Sequence, residues 1–237
     1  MANRNSIEFK VSARHALFTD PLSRIGGEKC SYHIPTYEAL KGIAKSIYWK
    51  PTFIWVIDEV RVMKRVRTQT KGTKPLDFGG GNTLAIYTFL VDVEYQVGAH
   101  FEWNLHRPEL ADDRIEGKHL TIARRMLERG GRQDVFLGTR DCQGYVEPCV
   151  YGEEVGAYDS DGELAFGLTF HGFDYPDETG DKQLHARFWR PIMIDGRIRF
   201  ARPEDITVRK FVRDMGVKKF GTKNMKNVEA EASELED

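Results

Sequence analysis

The sequence predicts an α+β protein, and two observations support this class. Residues 7–137 show apolar periodicities in the order strand, helix, strand, strand, helix, strand. From about residue 145 onward, short apolar runs are separated by Asp-Gly and Pro-Asp turns. The first order is typical of a ferredoxin-like domain of the RNA-recognition type, an antiparallel sheet with two helices on one face. We therefore expect a ferredoxin-like domain with an extended β-hairpin at 1–144, a small antiparallel β-sheet domain at 145–205 and a C-terminal segment at 206–237.

The first strand and the first helix have clear local signals. Ile7, Phe9 and Val11 alternate with polar residues, which predicts a half-buried strand. After a turn-rich loop, Thr36 can cap a helix and Pro51 stops it. The residues that this helix presents to a core are Leu40, Ile43, Ala44 and Ile47. The residues at its far end are Tyr48, Trp49 and Lys50.

An extended hairpin is predicted next. Residues 53–68 form a long strand pattern whose basic end indicates a strand that projects beyond the core. The basic residues of that end are Lys64, Arg65 and Arg67. Its partner runs over residues 84–102, after a Gly-Gly-Gly-Asn turn at 79–82. The triple glycine also resembles a phosphate loop, but no Gly-Lys-Ser/Thr follows it, so we favour a hairpin tip.

The second helix is amphipathic and basic. Gly117 ends a polar run, and an apolar stripe at helical spacing follows. The members of this stripe are Leu120, Ala123, Met126 and Leu127. Lys118 and His119 therefore lie in the first turn, where unpaired backbone N–H groups and the helix dipole favour an anion such as a phosphate.

Positive charge is concentrated around this helix. Residues 114–140 contain seven Lys and Arg residues against three Asp and Glu residues. Such a local excess is typical of a polyanion-binding surface, although basic helix faces are also often only solvated. The side chains predicted to contact nucleic acid are Arg124, Arg125, Arg129, Arg132 and Arg140.

The C-terminal part is predicted to be mostly β. Strand candidates are residues 167–173, 184–189, 192–193 and 197–200. A helical period is expected only over residues 208–215. The tail from residue 229 to 237 has five acidic and no basic side chains, although the chain of 237 residues has a net charge of only −1. We expect a flexible acidic end there, which either is inert or touches the basic surface or a partner.

Composition limits the class of protein. With 41% hydrophobic residues, no run of 18 apolar residues and no apolar signal-peptide core, a cytoplasmic protein without a membrane segment is expected. The three cysteines, Cys30, Cys142 and Cys149, have no Cys-x-x-Cys spacing, which argues against disulfides and structural zinc. Scattered His, Asp and Glu residues also lack ligand spacing, so we expect neither a metal nor another cofactor.

Several segments together resemble a known family. They are ALFTDPLSRIGGEKCSY at 16–32, PTYEALKGIAKSIYWKP at 35–51, EGKH at 116–119, GGRQDVFLGTRDCQGYVEPC at 130–149 and FHGFDYPDETG at 170–180. On these segments, which cover residues from about 7 to 205, the chain resembles the CRISPR-associated RAMP endoribonucleases of the type I-C (Dvulg) subtype, in the Cas-five superfamily.

The resemblance implies an activity and partners. In that family, a ferredoxin-like domain with a β extension cleaves CRISPR precursor RNA once within each repeat, at the base of the stem-loop and without metal. The protein then stays bound to the 5′ tag of the guide RNA, beside other subunits of the type I-C interference complex. Double-stranded DNA is a further candidate ligand, because a basic surface binds any polyanion.

The resemblance also implies an active site. The family's proposed catalytic groups are a tyrosine at the end of the first helix and a lysine-histidine pair that opens the second, which here are Tyr48, Lys118 and His119. RNA carries its own nucleophile, so deprotonation of the 2′-OH, charge stabilisation and protonation of the 5′ oxygen suffice. His119 suits acid and base roles, and Lys118 suits the phosphate charge. Tyr48 could orient or deprotonate the 2′-OH or position the phosphate.

Other functions stay open from the sequence. A non-catalytic scaffold that grips the guide RNA would not need Tyr48, Lys118 and His119. A small-molecule enzyme on the same fold is a third hypothesis, but no cofactor motif supports it. Tyr48 and Trp49 could also be a core anchor at the helix end.

Overall fold

The computed structural model describes residues 5–20, 27–76, 79–81, 83–115 and 117–217. The predicted acidic tail and Asn82 of the predicted hairpin turn lie outside the described residues. In chain order the strands are β1 Ser6–Ala16, β2 Lys29–Cys30, β3 Phe53–Val62, β4 Thr68–Thr73, β5 Ala85–Trp103, β6 Val135–Phe136, β7 Gln143–Pro148, β8 Glu163–Ala165, β9 Thr169–Asp174, β10 Gln183–Trp189, β11 Ile192–Ile194, β12 Arg197–Arg199 and β13 Val208–Asp214. The α-helices are α1 Tyr37–Ile47, α2 Lys118–Glu128 and the short α3 Pro176–Thr179.

Two sheets account for these strands. The larger one has the order β6-β7-β1-β5-β3-β12-β11-β8, and β2 and β4 pair with β5 beside that path. The smaller one has the order β13-β10-β9. Apart from the parallel β2–β5 pair, the strands pair antiparallel, so the α+β class predicted from the sequence is confirmed.

The two long helices form as their sequences predict. The Thr36 side chain caps α1 by accepting the Ala39 N–H at 3.2 Å, and the predicted apolar stripe of α1 is buried. In α2, Ala123 and Leu127 are buried and the other two stripe residues pack against the same core. α1 and α2 contact each other as well as the sheet. Among the described residues, no helix is both long enough and apolar enough to span a bilayer.

The predicted strand over residues 53–68 is wrong in its second half. β3 ends at Val62, and the chain turns before β4 begins at Thr68. In β5 opposite, Asp92 has a φ of +52° and no strand partner, although the register of β5 with β1 is the same on both sides of it. Asp92 holds the turn, because it accepts Lys64 Nζ at 2.8 Å and Arg67 Nη2 at 2.9 Å. These basic side chains therefore close a turn and do not extend a projecting strand.

The predicted helix over residues 208–215 is also wrong. Residues 208–214 form β13, which pairs antiparallel with β10 from Val208 opposite Phe188 to Asp214 opposite Gln183. A short run such as Val-x-x-Phe-Val has no distinct period, so neighbouring structure decides its conformation. Here the free edge of β10 supplies hydrogen-bond partners that a helix would not use.

The division into domains at residues 1–144, 145–205 and 206–237 stays a prediction. Its first boundary falls inside β7, which pairs with β1. Strands β8, β11 and β12 extend the larger sheet beyond β3. In the separate smaller sheet, β10 pairs with β9 on one side and with β13 on the other.

The turn after β6 requires a residue without a side chain at position 138. Gly138 has a φ of +97°, and a Cβ there would lie 2.0 Å from the Leu17 carbonyl oxygen. The Leu17 N–H donates to the Leu137 carbonyl at 3.0 Å, so the two backbone segments are fixed against each other. The loop after β1 and the β6–β7 edge can approach this closely only because residue 138 is glycine.

We predict that Gly138→Ala destabilises the protein by about 3 kcal/mol or more, since it adds overpacking to the cost of a positive φ. Denaturant unfolding measures the loss. Gly162→Ala is the matched control, because Gly162 has a φ of +70° but no atom within 4 Å of the place that a Cβ would occupy. We expect the control to lose only about 1 kcal/mol. Equal losses for both variants would contradict the steric argument.

Candidate active site

Tyr48 stands at the point where α1 ends. Its backbone is extended, with a φ of −161°, while its N–H still donates to the Ala44 carbonyl at 3.1 Å. The Trp55 indole N–H donates to the Tyr48 carbonyl at 2.7 Å. The residue is therefore held from both sides of its backbone, and its side chain is 2% exposed.

The glycine-rich segment after α2 satisfies the carbonyl groups at the end of α1. The Arg132 N–H donates to the carbonyls of Ser46 and Ile47, each at 3.1 Å, and the Gln133 N–H donates to Ser46 at 3.0 Å. The last carbonyls of a helix lack partners within the helix. This loop supplies them, and so fixes the end of α1 relative to α2.

The segment FHGFDYPDETG packs against the other flank of α1. Glu178 in α3 forms a salt bridge with Lys41, which is 1% exposed, and another with Lys45 at 3.1 Å. The His171 ring stacks on Tyr37 at 4.3 Å between centroids. Burial lowers the pKa of His171 to about 3, so this ring is neutral and structural. The segment therefore anchors α1, the helix that carries Tyr48 to its place.

α2 begins directly at the predicted lysine-histidine pair. Gly117 precedes it in the left-handed conformation, with a φ of +76°. The Lys118 side chain is 40% exposed, whereas His119 is 1% exposed. The pair thus points in two directions, with the ammonium toward the surface and the imidazole into the protein.

The structure brings Tyr48 and His119 together. Tyr48 Oη lies 2.9 Å from His119 Nδ1, and His119 Nε2 lies 2.7 Å from the Asp113 carbonyl oxygen. A carbonyl only accepts, so Nε2 carries a proton, and in the neutral ring Nδ1 must accept from the tyrosine O–H. Rings that surround the imidazole are those of Phe53, Phe101 and Trp103.

Asp113 completes the cluster, and sequence reasoning missed it. Its Oδ1 accepts Lys118 Nζ at 2.5 Å, and its Oδ2 accepts the Thr52 hydroxyl at 2.6 Å and lies 3.4 Å from His119 Nε2. Burial raises the pKa of Asp113, but the hydrogen bonds from Lys118 and Thr52 outweigh it, so the pKa lies below its ordinary value. A carboxylate therefore occupies the space between the lysine and the histidine.

A 3₁₀ segment, Pro108–Asp113, positions this carboxylate. Arg107 precedes the segment and pairs with Asp177 of α3 at 2.8 Å. Asn104 Nδ2 donates to the Asp177 carbonyl, also at 2.8 Å. Glu178 holds α1, and Asp177 holds this 3₁₀ segment. The short helix α3 therefore fixes both of these parts of the cluster relative to each other.

The charges around Tyr48 act in opposite directions. Burial raises the pKa of its hydroxyl, the Asp113 carboxylate raises it further, and the Arg132 guanidinium lowers it. The net direction is upward. Tyr48 is therefore a hydrogen-bond donor at neutral pH and not a free tyrosinate.

The five arginines predicted to bind nucleic acid are all exposed. Arg132 is close enough to Tyr48 to influence its pKa. Arg124 instead lines a cavity of about 410 Å³ beside Ser6 and Cys149. Arg140 lies in the turn between β6 and β7. They are thus distributed over α2 and the loops that follow it.

Further residues of the site gave weak signals in the sequence. Asp113 was visible only as a carboxylate five positions before Lys118, inside a polar run. Thr52 and Phe53 follow Pro51, in a segment interpreted only as the start of a strand. Their proximity to His119 depends on the register of β3 beside β5, in which Phe53 lies opposite Trp103.

Comparison with known proteins gives a family match over most of the chain. The family model described as CRISPR-associated protein (Cas_Cas5) matches residues 6–201. A crystal structure of a CRISPR-associated protein is 33% identical, covers 86% of this chain and 96% of that chain, and has a TM-score of 0.74.

Two relatives have names that state an activity. One, from Mannheimia succiniciproducens, is 39% identical over 30% of this chain and 29% of its own length. The other, from Thermus thermophilus, is 28% identical over 60% of this chain and 63% of its own length. Both are named CRISPR pre-crRNA endoribonuclease Cas5d. The chain spans less than two thirds of the length of each of these relatives.

We predict that Glu178→Gln lowers the free energy of unfolding by about 3–5 kcal/mol, because it leaves the buried Lys41 ammonium without its partner charge. Denaturant unfolding at neutral pH measures this. Glu147→Gln is the control and should cost less than about 1 kcal/mol, because the Glu147 carboxylate is exposed and its partner Lys10 keeps Glu154. Similar losses would mean that the α3 anchor contributes little.

The same pair gives the sign of the pH dependence. Burial raises the pKa of Glu178, but Lys41 and Lys45 lower it more, so its folded pKa is depressed. Its contribution is therefore complete above the unfolded pKa of about 4.3 and is lost as pH falls through the lower folded value. The difference in stability between wild type and Glu178→Gln should shrink over that acidic range.

Proposed function

The chain belongs to the Cas5 family of CRISPR-associated proteins, and we propose that it is an endoribonuclease that cleaves CRISPR precursor RNA. In this proposal it cuts once within each repeat, at the base of the stem-loop, without a metal ion. The two relatives named CRISPR pre-crRNA endoribonuclease Cas5d support the reaction. The observation that carries it is one cluster, in which Tyr48 contacts His119 while His119 and Lys118 share the Asp113 carboxylate.

A ferredoxin-like arrangement of the N-terminal part belongs to the same proposal. The strand order β7-β1-β5-β3 supports it, since in such a domain the first strand lies between the fourth and the third. The contact between α1 and α2 is consistent with two helices on one face. This arrangement brings the end of the first helix to the start of the second, where the cluster lies.

The Asp113 carboxylate stands where the scissile phosphate binds. Both groups are anions with oxygen acceptors, and Lys118 Nζ already holds one such oxygen at 2.5 Å. A phosphate that replaces the carboxylate gains the same ammonium. Lys118 then stabilises the negative charge that grows on the nonbridging oxygens as the 2′ oxygen attacks.

His119 and Tyr48 move the protons. The 2′-OH gives its proton to Tyr48 Oη while the tyrosine passes its own to His119 Nδ1, and His119 Nε2–H protonates the leaving 5′ oxygen. The 2′ oxygen bonds to phosphorus as the bond to the 5′ oxygen breaks. The products are a 2′,3′-cyclic phosphate and a 5′-hydroxyl, and no free tyrosinate is needed, so the raised pKa of Tyr48 is no obstacle.

Substrate access requires that Asp113 moves. His119 is 1% exposed, and its Nε2 is held by the carbonyl of Asp113. Gly117 lies between the 3₁₀ segment and α2, so a change at this glycine can shift Asp113 without moving the helix. RNA binding thus exchanges one anion for another at Lys118.

A second candidate function is a non-catalytic scaffold that holds the 5′ tag of the guide RNA among other subunits of an interference complex. The burial of Tyr48 and His119 favours it, because buried groups also serve packing. In the enzymatic proposal the protein stays on the 5′ tag after cutting. The two functions therefore share an RNA surface and differ in whether the RNA is cleaved.

We expect His119→Ala and Lys118→Ala to reduce single-turnover cleavage of a repeat stem-loop by about 100-fold or more, with RNA affinity changed only a few-fold. His33→Ala and Lys74→Ala, which alter exposed residues outside the cluster, should cleave normally. Cleavage by either site variant at the wild-type rate would remove that residue from the mechanism. Equal loss of binding and cutting would make it an RNA contact only.

The substrate itself provides a control on the chemistry. Cleavage should proceed in excess EDTA and leave the cyclic phosphate on the upstream fragment. A 2′-deoxy nucleotide upstream of the cut should block the reaction but barely change binding, because it removes only the attacking oxygen. A metal-dependent hydrolase would tolerate the deoxy nucleotide and stop in EDTA.

Asp113→Asn should bind the stem-loop about 3- to 10-fold more tightly than Asp112→Asn, because only Asp113 competes with phosphate for Lys118. Each variant removes one negative charge from the same 3₁₀ segment, so the effect of net charge on RNA affinity is the same for both variants. Equilibrium anisotropy with labelled RNA measures the two affinities. Indistinguishable affinities would show that the carboxylate does not occupy the phosphate position.

The exposed arginines should act through phosphate contacts. Removing the charges of Arg124, Arg125, Arg129, Arg132 or Arg140 should weaken RNA binding and lower the slope of log K against log salt by about 0.7 to 0.9 for each lost contact. Arg199→Gln, on β12 and outside α2 and the loops that follow it, is the charge-matched control. An unchanged slope would mean that these arginines are solvated or contact a protein.

A further inference from the structure

A cavity of about 340 Å³ lies beside the cluster, on the other side of Phe53. It is bounded by the end of α1, the start of β3, the turn of α3 and the chain after β13. The residues of its wall that matter here are Trp49, Phe53, Asn104, Tyr175, Asp177 and Met215. None of the roles proposed above uses this cavity.

The cavity is next to the proposed active site, and the Phe53 side chain lies between the two. Trp49 follows Tyr48 in the chain, and the Phe53 ring lies 5.7 Å from that of Tyr48 and 5.3 Å from that of His119. One face of Phe53 thus belongs to the cluster, and the same side chain lines the cavity. A nucleotide whose phosphate contacts Lys118 and His119 is therefore within one residue of the cavity.

The wall suits a flat ring with polar edges. Trp49 is 39% exposed, although an aromatic side chain of this size is usually covered. Tyr175 forms another wall, with Lys45 Nζ 5.8 Å from its ring centroid. Polar side chains also line the cavity, among them Lys45 and Asn104. Asn104 Nδ2 holds the wall together, since it donates to the carbonyls of Asp177 at 2.8 Å and Pro51 at 3.4 Å. Stacking on aromatic rings and hydrogen bonds at the edge are how proteins bind unpaired bases.

We propose that this cavity binds the base of a nucleotide adjoining the scissile phosphate, with Trp49 as its stacking platform. The inference rests on the proposed function, because the phosphate places the base. Binding the base turns the nucleotide out of its stack and aligns the 2′ oxygen with phosphorus. Trp49 thus contacts and positions the substrate, and it takes no part in proton transfer.

A double-mutant cycle between protein and RNA tests this. The protein change is Trp49→Ala, and the RNA change is an abasic site at the nucleotide on one side of the cut or, in a second RNA, on the other side. Single-turnover cleavage is measured for each change alone and for both together. We expect each change alone to slow cleavage by about 5- to 100-fold, and both together to slow it no further when the abasic site is at the bound position. Trp49→Phe should retain most of the rate. Phe211→Ala, an exposed aromatic outside the cavity, should change nothing.

The outcomes separate the possibilities. If the two losses multiply at both positions, Trp49 acts only by supporting Tyr48, and the base site is wrong. A Trp49→Ala variant that cleaves at the wild-type rate overturns it equally.

Failure of the base site can be told apart from failure of the enzymatic function by a binding experiment. The His119→Ala variant is mixed with RNA that carries 2-aminopurine at one of the same two positions. Stacking on Trp49 should quench the fluorescence of 2-aminopurine, and the additional change Trp49→Ala should abolish the quenching. This readout needs no cleavage. If the probe is quenched but the wild-type protein never cleaves RNA, the base site is supported and the protein is a non-catalytic scaffold. Quenching only after removal of residues 218–237 would mean that this segment fills the cavity, which contradicts the proposal.

Discussion

The carbonyl groups at the end of α1 are the constraint on which the site depends. A helix leaves its last carbonyls without partners, and here residues 132–133, from the loop after α2, satisfy two of them. One set of hydrogen bonds therefore ends the first helix and fixes the second helix beside it. Tyr48 and His119 come from these two helices, and their 2.9 Å contact follows from that junction. The Trp55 indole and Glu178 then hold α1 from the sheet side and from the opposite flank.

The cluster is assembled around an anion that belongs to the protein. Without Asp113, Lys118 would lack its carboxylate partner and His119 Nε2 would lack an acceptor, so the carboxylate and carbonyl of one residue stabilise the site before RNA binds. A substrate phosphate offers the same acceptor oxygens, and thus competes for Lys118 instead of entering a vacant position. This explains how groups proposed to be catalytic can be buried in the protein before RNA binds. It also makes the 3₁₀ segment a part of the site, although it provides no reacting group in the proposed mechanism.

The segment FHGFDYPDETG has a structural explanation that its resemblance to a family does not provide. Its charged and aromatic residues form the contact between the smaller sheet and α1, through Lys41, Tyr37 and the buried His171. Its Asp177 supports the segment that carries Asp113, and its Tyr175 lines the cavity beside Tyr48. A motif far from the reacting residues in the chain thus controls their position and bounds the proposed base site.

The sequence by itself determined the elements with long, regular patterns. The Thr36 cap, the apolar stripes of α1 and α2 and the alternation in β1 predicted these elements and placed Lys118 and His119 at a helix start, because side-chain periodicity and capping are local properties. The tertiary structure decided what local patterns do not encode. The turn in which Lys64 and Arg67 pair with Asp92 ended the long predicted strand at Val62, and the open edge of β10 made residues 208–214 a strand. Asp113 entered the cluster only through long-range packing, which brings an otherwise ordinary surface carboxylate to Lys118 and Thr52.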